Sequence, residues 1–599
     1  MRITANFRSR TTIFLIITGV FLIISLFIAK SFIVKEKWII IAKGKDFTSL
    51  ATFHYNANYH FQNLTNSVPT NGEPKSGTKI YTAKYQCHLE IDDMINIQEI
   101  RIGASYPMGY IFRINGTVAT CSPNLIVEDT TNVLLISHHN EDHKKLGYYY
   151  LTKEAVKQGQ NYLELEIIAS DSLPSYSPEI FVEALKSGHF LPDFLKLRRH
   201  KNINLQKSGL PVISINTLNN EIVDEPKVKS TLTTYKNNKP FTSNIKIEIK
   251  GKSSQSFGQL VLSYTFNTYD PNWQKEDINL LGLPEDSEWT LYAPFIDKSL
   301  IRNAIAYHIS SQTGQYTPRF KFCDLYINEQ YMGIYLLIEK PRISKNRINP
   351  YPELKLKEVF LCEIDRPDSV SQFGWFLNNV ENNYIYVNVV SPKRKNLNEE
   401  KEKTFRKSVE SLYKAFNNKV IDHHKIDSLV DINSLMDYML INELAKNLDA
   451  FRLSFFFSKA EGKPFVIGPV WDFDLAFGNS NIGTFSNSSG WCNSSESICP
   501  FKMLNWADVI HSDPIYSKKL KEKWTLWRHT FLTNEKVMDM VTAYEKQVAV
   551  SEKNFHSSVP ILDKWVWPNT YVGGTYENEI FYLKCWLLKR LYWIDKNLT

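Results

Sequence analysis

Cysteine is scarce in this chain: seven residues in 599, at 87, 121, 323, 362, 492, 499 and 585, with no CxxC pair. That scarcity excludes a disulfide-dense scaffold and a thiolate zinc site. Glycine (24) and proline (25) are too few for a collagen-like or low-complexity chain. The formal charge is only +7, and no stretch gathers the Lys/Arg density of a phosphate-backbone footprint, so nucleic acid is not an expected partner. A P-loop is missing too, because Gly251-Lys252-Ser253 would need glycine at 246, where Lys246 stands. What remains is an ordinary globular mixture, 43% hydrophobic, 13% aromatic and 22% charged, able to fill packed cores.

One long apolar run is present. Arg2, Arg8 and Arg10 precede an uncharged segment from Thr11 to Ala29, long enough as a helix to cross the ~30 Å hydrocarbon layer. The arginines favour a cytoplasmic N-terminus, with the rest of the chain on the far side of the membrane. A secretory signal is the rival reading, and either one exports the chain. Cys492 and Cys499 bracket a polar loop and form the expected local disulfide. His138, His139, Asp142 and His143 have ligand spacing but sit in a polar, turn-like stretch that reads as a solvated loop.

From about 45 to 208, strand-like runs such as 95–102, 108–114 and 162–168 alternate with Gly, Asn and Pro turns. The strand ending in Asn115-Gly116 and the later Gly159-Gln160-Asn161 turn before a strand resemble jelly-roll modules of the galactose-binding-like kind. Such modules bind sugars or brace a catalytic neighbour. A polar connector places the domain boundary near 205. Beyond it, 244–250 alternates as a strand with Ile245, Ile247 and Ile249 on one face, while 303–312 and 400–417 read as helices.

The chemistry concentrates in two acids. A helix from about Asp431, with Ile432, Leu435, Met436, Met439 and Leu440 as its apolar stripe, exits through Asn447-Leu448-Asp449. A strand at 453–458, a turn at 461–464 and a returning strand then lead to Trp471-Asp472-Phe473-Asp474. An antiparallel hairpin with this turn midway brings Asp449 and Asp472 to its open end. Two carboxylates there suit a divalent cation and a proton acceptor. In phosphoryl transfer one Asp takes the hydroxyl proton, and a second, after a β-ribbon and before Phe, holds the metal. A helix cap at Asp449 and a buried turn at Trp471-Asp472 are the plainer readings.

Five blocks extend the pattern: IKGKSSQSF at 249–257, LGLPEDSEW at 281–289, APFIDKSLIRN at 293–303, YMGIYLLIEK at 331–340 and VWDFDLAFGN at 470–479. In this order they resemble the CotH family, named for a spore coat protein H, over roughly 209–598. The resemblance implies an atypical kinase-like fold, ATP as nucleotide, Mg²⁺ or Mn²⁺ as metal, Asp449 as the catalytic acid–base, and Asp472 with Asp474 as metal ligands. Ser454 stands where the family often carries a metal-binding Asn and is expected as a third, weaker metal ligand through its hydroxyl, while Gly258-Gln259-Leu260 stands where the family usually has Pro-Lys-Lys. Phosphate contacts then fall to Lys252, Ser253 and Ser254, a loop that otherwise reads as a plain turn, with Lys340 and Arg302 as further sources of charge. Glu339, by analogy with the kinase ion pair, orients a lysine, or is a strand-end surface acid.

The expected fold class is α+β: a cytoplasmic N-terminus (1–10), one transmembrane helix as signal anchor (11–34), an all-β, jelly-roll-like, galactose-binding-like module (40–205) and an atypical protein-kinase-like domain (206–599). The expected activity is phosphotransfer from a nucleotide to a hydroxyl of a surface protein or glycan, outside the membrane. A catalytically inactive CotH-like scaffold or carbohydrate-binding surface protein is the alternative, and a hydrolase using Asp449 and Asp472 as acid and base ranks behind these.

Overall fold

The computed structural model describes eleven strands before residue 188 and, from 209 to 598, every residue except 238, 252–260, 367–372, 381–382 and 493–503. The expected membrane segment, the boundary near 205 and the cluster at 138–143 lie outside the described residues. Among the described residues no helix is long and apolar enough to cross a membrane. The chain divides into two compact units, one of Met1–Asn56, Lys79–Cys121 and Tyr148–Arg198, the other of the remainder through Thr599.

The described part of the first unit is built from β-strands. Its strands are β1 (Glu36–Lys43), β2 (Thr48–Phe53), β3 (Ile80–Ile91), β4 (Ile97–Ser105), β5 (Gly109–Ile114), β6 (Thr117–Cys121), β9 (Gly147–Thr152), β10 (Gly159–Ser170) and β11 (Glu179–Ser187), while the hairpin of β7 (Leu125–Glu128) and β8 (Asn132–Leu135), which comes between β6 and β9 in the chain, belongs to the second unit. One antiparallel sheet has the order β2-β3-β10-β5-β6, and β11 lies between β1 and β4 in another. In β10, Leu163, Leu165 and Ile167 alternate with Glu164 and Glu166, the period-two pattern of a sheet with unlike faces. All three strands expected at 95–102, 108–114 and 162–168 are present as β4, β5 and β10.

From Val212 the second unit forms a closed seven-stranded barrel: β12 (Val212–Asn216), β13 (Val228–Lys236), β14 (Lys239–Lys250), β15 (Ser263–Tyr269), β16 (Glu288–Tyr292), β17 (Phe320–Ile327) and β18 (Gln330–Glu339), in the order β12-β13-β14-β15-β16-β18-β17. The parallel pair of β12 and β17 closes it, with Ile213 opposite Leu325 and Ile215 opposite Ile327. Ile213, Ile215, Leu232, Ile245, Ile247, Phe266, Trp289, Leu291 and Leu325 are all fully buried. Their alternation turns the polar residues of the same strands outward. Lys246, Glu248 and Lys250 thus share the outer face of β14.

After α1 (Arg302–Ser311), lodged between β16 and β17, a second sheet forms from β19 (Phe360–Ile364), β20 (Gly374–Val380), β21 (Asn383–Ser391), β22 (Phe455–Lys459) and β23 (Val466–Ile467), in the order β20-β21-β19-β22-β23. Helices α2 (Glu399–Phe416), α3 (His423–Leu429), α4 (Ile432–Ala445), α5 (Trp506–Ser512), α6 (Pro514–His529), α7 (Asn534–Ser558) and α8 (Tyr576–Asn597) complete the unit. Each helix from α2 to α4 starts on an Asn or Asp side chain that accepts from a first-turn N–H. The apolar stripe expected on α4 is an incomplete description: the helix is buried on every side from Ser434 to Ala445, Asp437, Asn442 and Glu443 included. Helices buried all round serve as a core axis.

Candidate functional site

Helix α4 ends on Lys446 in the left-handed conformation, its N–H closing on the carbonyls of Asn442 and Glu443. The chain then turns sharply through Asn447 to Asp449, whose carbonyl accepts from Arg452 and Leu453. The expected hairpin follows: β22 pairs with β23 through Phe457 opposite Ile467, and the chain continues to Asp472. Phe451, Ser454, Asp472 and Phe477 all hold positive φ, between 51° and 63°. Non-glycine residues rarely adopt this conformation, and such strain gathers where surrounding contacts enforce a functional geometry.

Those contacts are specific. Asn447 Nδ2 donates to the Asp472 carbonyl at 3.1 Å, while its Oδ1 accepts from the Asp449 N–H at 3.2 Å. Asn303 Oδ1, on α1, accepts from the Phe473 N–H at 3.0 Å. Asn479 Nδ2 donates to the Asp474 carbonyl at 2.7 Å and to the Ile296 carbonyl at 3.0 Å. The blocks at 293–303 and 470–479 are therefore bound together by asparagine side chains. Tyr307 on α1 packs edge-on against Phe473 at 6.2 Å.

Four carboxylates influence one another here: Asp365, just after β19, with Asp449, Asp472 and Asp474. Burial, and then the charges of Asp449 and Asp365, push the Asp472 carboxyl up to about 6 against the pull of Lys250. Burial and the neighbouring Asp472 push Asp474 far above the carboxylate range, so Asp474 keeps its proton and donates it in a hydrogen bond to Asp472. Burial also raises Asp449, opposed by Arg452 and Arg366. The Arg452 guanidinium makes an ion pair with the Asp449 carboxylate. Ser454 points its backbone N–H at Asp365.

Facing the acids is Lys250, at the end of β14, its ammonium 4.3 Å from the Trp471 ring centroid. Burial lowers it to about 8, and Asp472 is the strongest opposing attraction. Lys340 follows β18, one step beyond the pairing of Trp289 with Glu339, beside Glu288. Burial alone would raise the Glu288 carboxyl, but Lys340, Lys275 and Arg342 hold it at about 2. Lys340 also repels Lys250, Lys227 and Lys393. Lysines from positions 227 to 393 thus come within electrostatic reach of one another, and Lys250 among them faces the acids.

The sequence-expected residues distribute unevenly. Asp449, Asp472, Asp474 and Ser454 come together, and Lys340 stands within electrostatic reach of Lys250. Lys252, Ser253, Ser254 and Cys499 lie outside the described residues. Arg302 is buried, its guanidinium spent on Asp297 and on Ser299 Oγ at 3.1 Å. Glu339 is fully buried and holds no lysine: it accepts from Arg319 Nε at 2.9 Å and from the Tyr316 hydroxyl at 3.0 Å. Asp365, Lys250, Asn447, Asn303 and Asn479 have roles the sequence reading missed. Only the placement of Lys250, Asn303 and Asn479 within the five blocks could have signalled them.

Among the described residues no three His, Cys, Asp or Glu side chains already converge on one metal-holding point. Two carboxylates suffice for Mg²⁺, which completes its shell with water and phosphate oxygens. The proton shared between Asp474 and Asp472 marks a site short of positive charge, and the buried Tyr292 hydroxyl beside them has no hydrogen-bond partner among the described residues. Those donors fit a hard divalent cation. A family model described as CotH kinase protein matches residues 247–594. No curated protein matches the chain.

Proposed function

The chain belongs to the CotH kinase family, and on that premise we propose that it transfers the terminal phosphoryl group of ATP to a hydroxyl of a surface protein or glycan. The observation that carries this reading is the joining of Asp449 to Asp472 through the single side chain of Asn447. Asp449 accepts the proton as the acceptor oxygen forms its bond to the γ-phosphorus, and the bond to the β,γ-bridging oxygen breaks to release ADP. Arg452 keeps the Asp449 carboxylate in one orientation. Asp472, with Asp474 once it has lost its proton, would hold Mg²⁺ or Mn²⁺, which supplies neutralisation of phosphate charge when bound. Lys250 stabilises charge on the leaving phosphate from the opposite side, and Lys340 draws the nucleotide's phosphates towards the barrel.

The activity is placed outside a membrane, on the strength of the arginines at 2, 8 and 10 before the apolar run at 11–29. For the β-rich first unit the proposed ligand is a glycan, by its resemblance to galactose-binding-like modules.

The experiment is metal-dependent nucleotide binding by titration calorimetry, together with transfer from γ-labelled ATP. Asp472→Asn is expected to abolish metal-dependent binding. Asp449→Asn is expected to keep it while transfer falls at least ~100-fold, the scale of a lost general base. Binding unchanged in Asp472→Asn would overturn the assignment.

A further inference from the structure

The outer face of the barrel carries a second feature, away from the acids. Lys229 on β13 stands directly opposite Lys246 on β14. Like charges in that position destabilise a strand pair. The neighbouring lysines are answered, Lys227 by Glu248 and Lys275 by Glu288 at 2.9 Å. Among the described residues, Lys229 and Lys246 meet only aromatic rings. The Lys229 ammonium lies 4.4 Å from the Trp273 ring centroid, and the Lys246 ammonium lies 4.9 Å from that of Tyr269.

Trp273 is placed there at a cost. It has φ +62°, an outlier for a bulky residue, in a turn fixed by Asp270, which accepts from the Trp273 N–H at 3.0 Å and, through Oδ1, from the Gln274 N–H at 2.8 Å. Two ammonium groups with no carboxylate partner among the described residues, set on an aromatic floor, form a cradle for anions. Lys246 and Lys250 share one face of β14 four residues apart, which at a strand's rise is ~13 Å. A bound chain lying along β14 would therefore reach the carboxylate site in about four residues.

We propose that this lysine–aromatic face binds an acidic peptide segment of the phosphate acceptor. Asp or Glu side chains sit between Lys229 and Lys246, and a hydroxyl residue about four positions away is delivered to Asp449. The inference rests on the phosphotransfer reading for its direction but not for the binding itself. Charge complementarity commits the face to an acidic partner, since Glu248, the carboxylate beside Lys246 on β14, is already paired with Lys227 and neither Lys229 nor Lys246 has a carboxylate partner among the described residues.

Fluorescence anisotropy of a labelled glutamate-rich peptide carrying one serine, added to the full-length chain, tests it. Lys229→Glu with Lys246→Glu is expected to weaken binding at least tenfold, and Lys229→Gln with Lys246→Gln to weaken it less. Lys236→Glu with Lys239→Glu, at the far end of the same hairpin, should leave it unchanged. Equal loss in that control pair, equal binding of a glutamine-rich peptide, or tighter binding of a DNA duplex through the same two lysines would each overturn the proposal. Asp472→Asn separates the two readings: it should keep the peptide and lose the nucleotide. Retained nucleotide binding there would defeat the phosphotransfer reading while leaving the peptide site standing.

Discussion

Asn447 Nδ2 and the Asp472 carbonyl are 3.1 Å apart although 25 residues separate them in the chain. The same side chain accepts from the Asp449 N–H, so one amide sets the spacing of the two acids on either side of the β22–β23 hairpin. A carbonyl and an N–H require both ends of an amide. Asn447→Ala is expected to lower kcat by ~10- to 100-fold, the cost of a misplacement on the order of an ångström at a reacting centre. Asn447→Asp should restore little, because its carboxylate can accept but not donate. Steady-state kinetics paired with a thermal melt checks this: a loss of kcat no larger than the loss of folded protein would refute a positioning role.

The acids and Lys250 titrate in opposite senses around neutrality. Asp472, at about 6, is ionised and able to hold a cation only above that value, so kcat/KM rises as pH climbs through about 6. Lys250, at about 8, loses its charge above that value, so the rate falls again. A bell between these limits is the expected profile. Lys250→Arg should move the alkaline limb upward, because guanidinium stays charged. An alkaline limb that does not move would remove Lys250 from the chemistry.

Arg302 and Asp297 form a buried pair at the start of α1. Removing one member leaves the other charge uncompensated in the interior, a loss of ~3 to 5 kcal/mol. Urea unfolding of Arg302→Met should show that loss, while the nucleotide affinity of the folded fraction stays at the wild-type value. A variant of undiminished stability but weakened nucleotide affinity would instead return Arg302 to the phosphate site.

Gly478 has φ +78°, and a Cβ there would lie 2.5 Å from Trp586 Cδ1. Trp586 is anchored by its indole N–H on the Ser486 carbonyl at 2.7 Å, so neither partner can yield easily. Gly478→Ala is expected to cost ~1 to 3 kcal/mol by overpacking, with the backbone strain added. Unfolding equilibria that match wild type would show that α8 shifts freely, against close packing of Gly478 on Trp586.

Local pattern determined much of this protein without tertiary help. A strand-like run marked β10, alternating apolar residues marked β14 and the polar turn after β22 marked the hairpin, because periodicity and turn chemistry are short-range properties, and the order Asp449, ribbon, Asp472-Phe473 prompted the phosphotransfer proposal. Partner choice was decided only by the fold. Glu339 was open to a lysine and took Arg319 and Tyr316; Arg302 was open to phosphate and took Asp297. Asp365 and Lys250 joined the site from 84 and 222 positions before Asp449 and Asp472 respectively. Such pairings depend on which strands become neighbours and which side chains are dehydrated together. Burial then shifts Asp472 and Lys250 towards neutrality, and a linear sequence carries no measure of burial.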